Sequence, residues 1–233
     1  MKKILFVFTL VGIFHGLSKA QTAEEVVGKY IQALGGKEKI SQVKSVYTEY
    51  TMEVMGNSMT QMEYLLDGKG YKTEAEFNGS KIVNCLNDKN GWMINPLMGS
   101  NDPQAMEDAL YKAGRTQIFL YNGLLDYTNK GLKIESAGKE KNFTKLKVMD
   151  GGSESVYYFD NSTNLLSKTV SKSEMMGQQV EVTTTYGDYK KTDSGVVLPY
   201  TKNIDMGMFQ LALKISKVEV NKEIDPQIFA MPK

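Results

Sequence analysis

Apolar residues near the start of this chain recur at the spacing of one helix face. The stripe consists of Val26, Val27, Tyr30, Ile31 and Leu34. Thr22 and Glu25 have the spacing of a capping box at its start. Gly35 and Gly36 follow its end, as is usual after a helix C-terminus. We therefore predict a helix along this stripe and a short turn at 37–43.

From Val46 onward the spacing changes to two, which is typical of strands with one buried face. In the first strand, one face carries Val46, Tyr50, Met52 and Val54, and the other carries Glu49 and Glu53. The same alternation continues at Met62, Tyr64 and Leu66, and then at Tyr71, Ala75 and Phe77. Further strands are predicted at 132–137, 142–149, 154–160, 164–175, 178–190, 195–205 and 207–221.

This pattern predicts the fold class. Short polar turns separate the strands, as in a meander of hairpins, and long neighbouring antiparallel strands twist and curl. We predict an α+β, mainly β fold. A single curved antiparallel sheet would form a half-open β-barrel, with helices covering the concave face.

One segment, which we call the insert (residues 103–127), interrupts the β pattern. Asp102 is a suitable N-cap, and Pro103 suits the first helical position. Gly114 can end this helix, and a second short helix is predicted from about Arg115 to Tyr121. The insert is rich in apolar residues, and we expect it to pack against the dry face of the sheet.

The N-terminal residues 1–20 have the features of a secretory signal peptide. Lys2 and Lys3 precede an apolar run, and Ser18 and Ala20 occupy the small-residue positions before a cleavage site. The run is too short to span a bilayer. We expect a mature chain of residues 21–233 that forms one domain, located in the periplasm or, alternatively, secreted.

Composition excludes several kinds of chemistry. The sole histidine, His15, lies in the predicted signal peptide, and Cys85 is the one cysteine. The mature chain therefore has no Ser-His-Asp triad, Cys-His pair or ordinary zinc site. Removing three lysines with residues 1–20 leaves 25 basic and 27 acidic residues, a net charge of −2, which disfavours nucleic acid as a partner. We predict no cofactor, no metal site and no catalytic residues.

The candidate site is a ligand-binding hollow beneath the insert. The mature chain has 13 of the 14 methionines, and methionine is frequent at surfaces that accept varied apolar ligands. The predicted lining of the hollow and its lid is Tyr50, Met52, Met62, Tyr64, Met106, Leu110, Arg115, Ile118, Phe119, Leu120 and Tyr121. Such apolar residues are also typical of an ordinary core.

Two single residues each allow two interpretations. Arg115 is the only arginine. It could latch the insert to a carbonyl or carboxylate or bind a ligand headgroup, or it could be solvated beyond a helix end. Trp92 is the only tryptophan, and it could anchor the core at a strand end or line a cavity.

Four ordered segments carry a resemblance to a known family. They are "AEEVVGKYIQALGGKEKISQVKSV", "GWMINP", "GVVLPY" and "VEVNKEIDPQIFAMP". Together they resemble the outer-membrane lipoprotein-sorting proteins, relatives of the periplasmic lipoprotein carrier, over essentially the whole mature chain. The resemblance implies a half-open barrel closed by helices, binding of acyl chains and carriage across the periplasm. The best-characterised carriers latch their helices with an arginine on an early strand. No early strand has an arginine here, so no functional residue is carried over.

The predicted function is a non-catalytic periplasmic carrier for a lipid or acylated ligand. Its expected partners are acyl chains or lipoproteins, together with a transport partner at the outer or inner membrane. An alternative is an envelope protein-interaction or sensor module built on the same half-barrel. A carboxylate-based hydrolase is a third alternative, although Glu49, Glu53, Glu74 and Glu76 are explained as a solvated sheet face.

Overall fold

The structure is a computed structural model that describes residues 21–54, 57–96, 99–175, 178–207 and 209–232. The predicted signal peptide, residues 1–20, lies outside the described residues. Met55 and Met208, two of the methionines in β-patterned segments, lie outside them as well. Within the described residues, no helix is long and apolar enough to cross a bilayer.

The helices are α1 (Ala23–Ala33), α2 (Lys37–Ser41) and α3 (Asp108–Gly114), with 3-10 helices at Arg115–Ile118, Leu120–Gly123 and Pro226–Phe229. The strands of the first half are β1 (Ser45–Val54), β2 (Asn57–Leu66), β3 (Gly70–Phe77), β4 (Ser80–Asn87), β5 (Gly91–Asn95) and β6 (Ser100–Ala105). Those of the second half are β7 (Lys133–Glu140), β8 (Phe143–Asp150), β9 (Ser153–Asp160), β10 (Leu166–Met175), β11 (Gln178–Lys191), β12 (Val197–Asp205) and β13 (Gln210–Val220).

The described strands form one open antiparallel sheet of 13 strands, in the order β6-β5-β4-β3-β2-β1-β13-β12-β11-β10-β9-β8-β7. Each half of the chain is an antiparallel meander. The last strand, β13, pairs with the first strand, β1, and so joins the two halves into one sheet. Val46 of β1 pairs with Val220 of β13, for example. The predicted fold class, a curved antiparallel half-barrel with helices on its concave face, is confirmed.

The N-terminal helix forms as predicted. The Thr22 hydroxyl accepts the backbone N–H of Glu25 at 3.2 Å, and the Glu25 carboxylate accepts the N–H of Thr22 at 3.4 Å. Both arms of the capping box are therefore present. The predicted turn at 37–43 is wrong in part, because Lys37–Ser41 forms the short helix α2 and buries Ile40.

The predicted helix start at Asp102 and Pro103 is also wrong. Residues 100–105 form β6, which pairs with β5 through Trp92 and Ala105. A proline is tolerated there because β6 is an edge strand and one row of its backbone groups needs no partner. The helical part of the insert begins later, at Asp108 of α3, with Glu107 as the N-cap.

The concave face of the sheet carries the main core. Helix α1 and the end of the insert pack there together, and their buried members include Tyr30, Leu34, Leu120 and Leu124. The Tyr30 ring meets the Phe159 ring of β9 edge-on, with centroids 5.1 Å apart. The end of the hollow next to α1 is therefore filled by packed side chains.

The convex face is sealed over β2–β5 by the C-terminal 3-10 helix. Phe229 is 2% exposed and packs with Trp92 and Cys85. The Trp92 indole N–H donates to the Phe229 carbonyl at 3.1 Å. Gly70 leaves room for the phenylalanine ring, because a Cβ there would lie 2.3 Å from Phe229 Cγ. Trp92 is thus the predicted core anchor, on the face opposite the hollow.

Candidate functional site: the hollow beneath the insert

The insert is tied to the sheet by backbone hydrogen bonds on either side of Phe119. The Gly68 N–H, in the β2–β3 turn, donates to the Ile118 carbonyl at 2.8 Å. The Leu120 N–H donates to the Asp67 carboxylate at 2.8 Å. These bonds hold the 3-10 part of the insert firmly, and Ile118 and Leu120 are 1% and 6% exposed.

Arg115 latches the insert to the sheet. Its Nε donates to Asp150 Oδ2 at 2.8 Å, and its Nη2 contacts Asp150 Oδ1, so the pair is bidentate. Nη2 also donates to the Lys130 carbonyl at 3.3 Å. Asp150 ends β8 and is only 6% exposed. Of the two interpretations of Arg115, the carboxylate latch is the one found in the structure.

None of the residues of helix α3 is buried, and the Tyr111 hydroxyl ties the helix to the end of β4 by donating to the Asn87 carbonyl at 3.1 Å. Leu110 borders the space beneath it, as does Met106 just before the helix. A Cβ on Gly114, at its end, would approach Leu86 Cδ1 of β4 at 3.1 Å. The insert thus has a fixed 3-10 part and a lightly packed helix.

A cavity of about 550 Å³ lies between the insert and the concave face. This is within the range of small-molecule pockets, about 300–1,000 Å³. Its apolar lining includes Val46, Leu65, Leu86, Leu166, Leu198, Ile204, Leu211, Leu213 and Ile215. Its polar lining includes Thr48, Gln61, Glu63, Thr73, Asn84, Ser155, Thr169, Ser171, Ser173, Thr184 and Lys202. The hollow is therefore amphipathic, whereas the sequence predicted a hydrophobic one.

The predicted site residues separate into four groups, of which three lie at the hollow or in the insert. Those that border the cavity are Tyr50, Met106, Leu110, Phe119, Leu120 and Tyr121. Met52 packs beside them in a concave-face cluster with Tyr50 and Leu213. Arg115 and Ile118 hold the insert rather than line the space. Among the methionines of the described residues, Met106 and Met206 border the cavity.

Met62 and Tyr64 do not face the hollow as predicted. They lie on the convex face, where Tyr64 packs against the Phe229 cluster and its hydroxyl contacts Met62 Sδ at 3.8 Å. The alternation in β2 is real, but its apolar face is the one covered by the C-terminal segment. The polar face of β2, with Glu63, is turned into the hollow.

Four residues in the hollow form what we call the Glu63 cluster: Tyr50, Glu63, Tyr71 and Lys202. Lys202 Nζ of β12 lies 3.2 and 3.0 Å from the two Glu63 oxygens of β2. The Tyr71 hydroxyl donates to Glu63 Oε2 at 2.7 Å, and the Tyr50 hydroxyl donates to Oε1 at 3.3 Å. Lys202 Nζ also lies 4.8 Å from the Tyr50 ring centroid.

The cluster raises the pKa of Lys202, Tyr50 and Tyr71. Burial is the largest single influence and lowers the pKa of Lys202, but the Glu63 carboxylate and the hydroxyls of Tyr50 and Tyr71 together outweigh it and hold that pKa well above its usual value. Burial, together with Glu63, raises the pKa of both Tyr50 and Tyr71. Lysine therefore stays charged, and both tyrosines remain donors to the carboxylate.

Sequence reasoning missed this cluster, although one signal could have revealed it. In the β1–β2 hairpin, Tyr50 is opposite Gln61 and Thr48 is opposite Glu63. A two-residue connection between Val54 and Asn57 implies that register. The apolar face of β1 therefore shares a side with the polar face of β2. Pairing, rather than the alternation of each strand alone, places Glu63 inside.

The cluster is electrically balanced. At an effective dielectric constant near 20, a unit charge about 4 Å from another interacts with it by about 4 kcal/mol. An ion that approached Lys202 and Glu63 equally closely would feel opposite electrostatic energies of similar size.

Within the described residues, no group of three or more histidine, cysteine or acidic side chains could hold a metal ion.

Two of the solved structures that match this chain share its fold. A domain from Vibrio parahaemolyticus, named for outer-membrane lipoprotein sorting, aligns with a TM-score of 0.57 and 14% identity, covering 89% of this chain and 97% of its own. A LolA superfamily protein from Nitrosomonas europaea aligns with a TM-score of 0.54 and 11% identity, covering 90% of this chain and 97% of its own. At these identities the likeness shows the fold, and it confirms at that level the resemblance found in the sequence.

The remaining comparisons found weaker similarity or none. MucB aligns with a TM-score of only 0.28 and 9% identity, covering 89% of this chain and 62% of its own. That score is too low to argue a common fold. No protein-family model matches the chain, and no curated protein matches it significantly.

Proposed function

We propose that this protein is a non-catalytic periplasmic carrier that holds the acyl chain of a lipid or acylated ligand in the hollow beneath the insert. The observation that carries the proposal is the cavity of about 550 Å³ between the insert and the concave face. The shared fold with the lipoprotein-sorting domain and the predicted signal peptide at 1–20 support it.

The apolar part of the lining can stabilise an alkyl chain. Burial of each methylene contributes about 0.8 kcal/mol, and the lining offers leucine and isoleucine side chains along β12 and β13. The cavity is present with the insert in place, so an acyl chain can occupy it without displacing Leu120. We expect helix α3 to be the part of the insert that yields, because none of its residues is buried and the hydrogen bond between Tyr111 and Asn87 of β4 is only partly buried.

A matched pair of substitutions in β11 tests the proposal. Thr184 borders the cavity, while its neighbour Thr183 points to the other face of the strand. We expect Thr184→Trp to weaken binding of monolaurin at least tenfold by filling the space, and Thr183→Trp to leave it unchanged. Isothermal titration calorimetry measures both affinities.

The wild-type protein provides the direct measurement. Mature protein incubated with a bacterial envelope lipid extract should retain acyl species in native mass spectrometry. Recovery of protein partners with no acyl species would instead favour the protein-interaction module. Equal binding by Thr184→Trp and Thr183→Trp would show that the ligand lies outside the hollow.

A further inference from the structure

The Glu63 cluster lies within the length of the cavity, with apolar lining on both sides of it along the strands. On β12, Leu198 and Ile204 flank Lys202, and on β2, Leu65 follows Glu63. An acyl chain in the hollow would therefore place a polar group beside a lysine–glutamate pair. The pair is well shielded, since the side chains of Glu63 and Lys202 are 13% and 21% exposed.

The hydrogen bonds of the pair are directed inward. The Glu63 carboxylate accepts from both tyrosines and from Lys202, which occupies both of its oxygens. It therefore offers little to a ligand cation. Lys202 is neutralised by the same carboxylate, so a ligand anion gains little from it, and the carboxylate repels that anion at nearly the same distance.

Uncharged hydroxyls flank the pair in the hollow. Thr48 of β1 and Thr73 of β3 lie opposite Glu63 on its two neighbouring strands, and Thr184 of β11 lies diagonally beside Lys202; all three border the cavity. None of the three has a hydrogen-bond partner for its hydroxyl among the described residues. A hydroxyl both donates and accepts, and so it suits ester carbonyls and alcohols.

We propose that the hollow selects amphiphiles with an uncharged, oxygen-rich head, namely acyl esters of glycerol, and rejects free fatty acids and alkylamines. The balanced Glu63–Lys202 pair provides the rejection, and the neighbouring hydroxyls bind the glyceryl and ester oxygens. This inference rests on the proposed function and specifies its ligand class. A free acylglycerol and the diacylglyceryl group of a lipoprotein present the same chemistry.

The wild-type test compares ligands of one chain length. Monolaurin should bind at least tenfold more tightly than laurate or dodecylamine at pH 8.5, a difference of about 1.4 kcal/mol or more. Calorimetry on the mature protein measures all three. A diacylglyceryl-cysteine peptide with a blocked N-terminus, run beside dilaurin, identifies which source of the ester binds more tightly.

Two variants test the role of the charge pair. Glu63→Gln leaves Lys202 unbalanced and should improve laurate binding at least tenfold relative to monolaurin. Lys202→Met leaves Glu63 unbalanced and should improve dodecylamine binding in the same way. The gain for laurate must disappear in Glu63→Gln/Lys202→Met. If the pair had only a structural role, each variant would change the affinities for all three ligands by a similar factor.

The outcomes separate the two proposals. If the wild-type protein binds none of the ligands, the proposed function fails, and this inference fails with it. If laurate binds as tightly as monolaurin, or if both variants change all ligands equally, only the inference is overturned. If a variant fails to fold, the comparison of monolaurin, laurate and dodecylamine binding to the wild-type protein still tests the inference.

Discussion

Replacing Arg115 with methionine should destabilise the protein more than any exposed charge substitution in the insert. The change leaves the buried Asp150 carboxylate, 6% exposed, without its cation. Removing one partner of a buried ion pair costs about 3–5 kcal/mol. The Arg115 side chain is 27% exposed, so water compensates in part, and we expect a loss of about 2–3 kcal/mol.

Urea unfolding measures this loss, with the fluorescence of Trp92 and circular dichroism as signals. For a chain of this size, each kcal/mol changes Tm by about 2–4 °C, so Arg115→Met should melt roughly 4–12 °C lower. Lys112→Met is the matched control. It breaks an i,i+4 pair with Asp108 whose side chains are 48% and 75% exposed, and such pairs contribute about 0.3–0.5 kcal/mol.

A further variant isolates the unpaired charge. Arg115→Met/Asp150→Asn should recover part of the stability, because the buried group is then neutral. If Arg115→Met unfolds within about 0.5 kcal/mol of the wild type, or no lower than Lys112→Met, the latch does not hold the insert and the reasoning is refuted.

Two other predictions concern the convex face. Gly70→Ala should lower the free energy of unfolding by about 1–3 kcal/mol in chemical unfolding, because its Cβ would lie 2.3 Å from Phe229 Cγ. In a Phe229→Ala background the same change should have little effect. An equal effect in both backgrounds would contradict the packing of Phe229 on Gly70. Burial raises the pKa of the Cys85 thiol to about 12, so Ellman's reagent should not modify the native protein at pH 8 but should react completely in 8 M urea. Rapid modification of the native protein would show that the C-terminal segment does not cover this thiol.

Much of the fold follows from local patterns. The α1 capping box and apolar stripe predict the helix directly, and the long alternating segments predict the strands of the second half with small errors at their ends. These features depend on neighbouring residues along the chain. A curved sheet with a helical cover follows from them, because one dry face must be buried.

The errors arose where contacts with another segment override the local pattern. Asp102 and Pro103 have the local signature of a helix start, but pairing of 100–105 with β5 overrides it. The apolar face of β2 was assigned to the hollow because the docking of Phe229 on the other face involves residues far along the chain. The position of Glu63 in the hollow follows from the β1–β2 register, but its ion pair with Lys202, 139 residues away, could not be predicted from local patterns.

The crystal structure of the mature protein grown with monolaurin tests the central claim most directly. The account predicts an acyl chain between the insert and the concave face, with the glyceryl oxygens near Lys202 and the Thr73 hydroxyl and with Leu120 in its present place. A hollow that contains no alkyl chain, with the lipid bound elsewhere or not at all, would contradict the account.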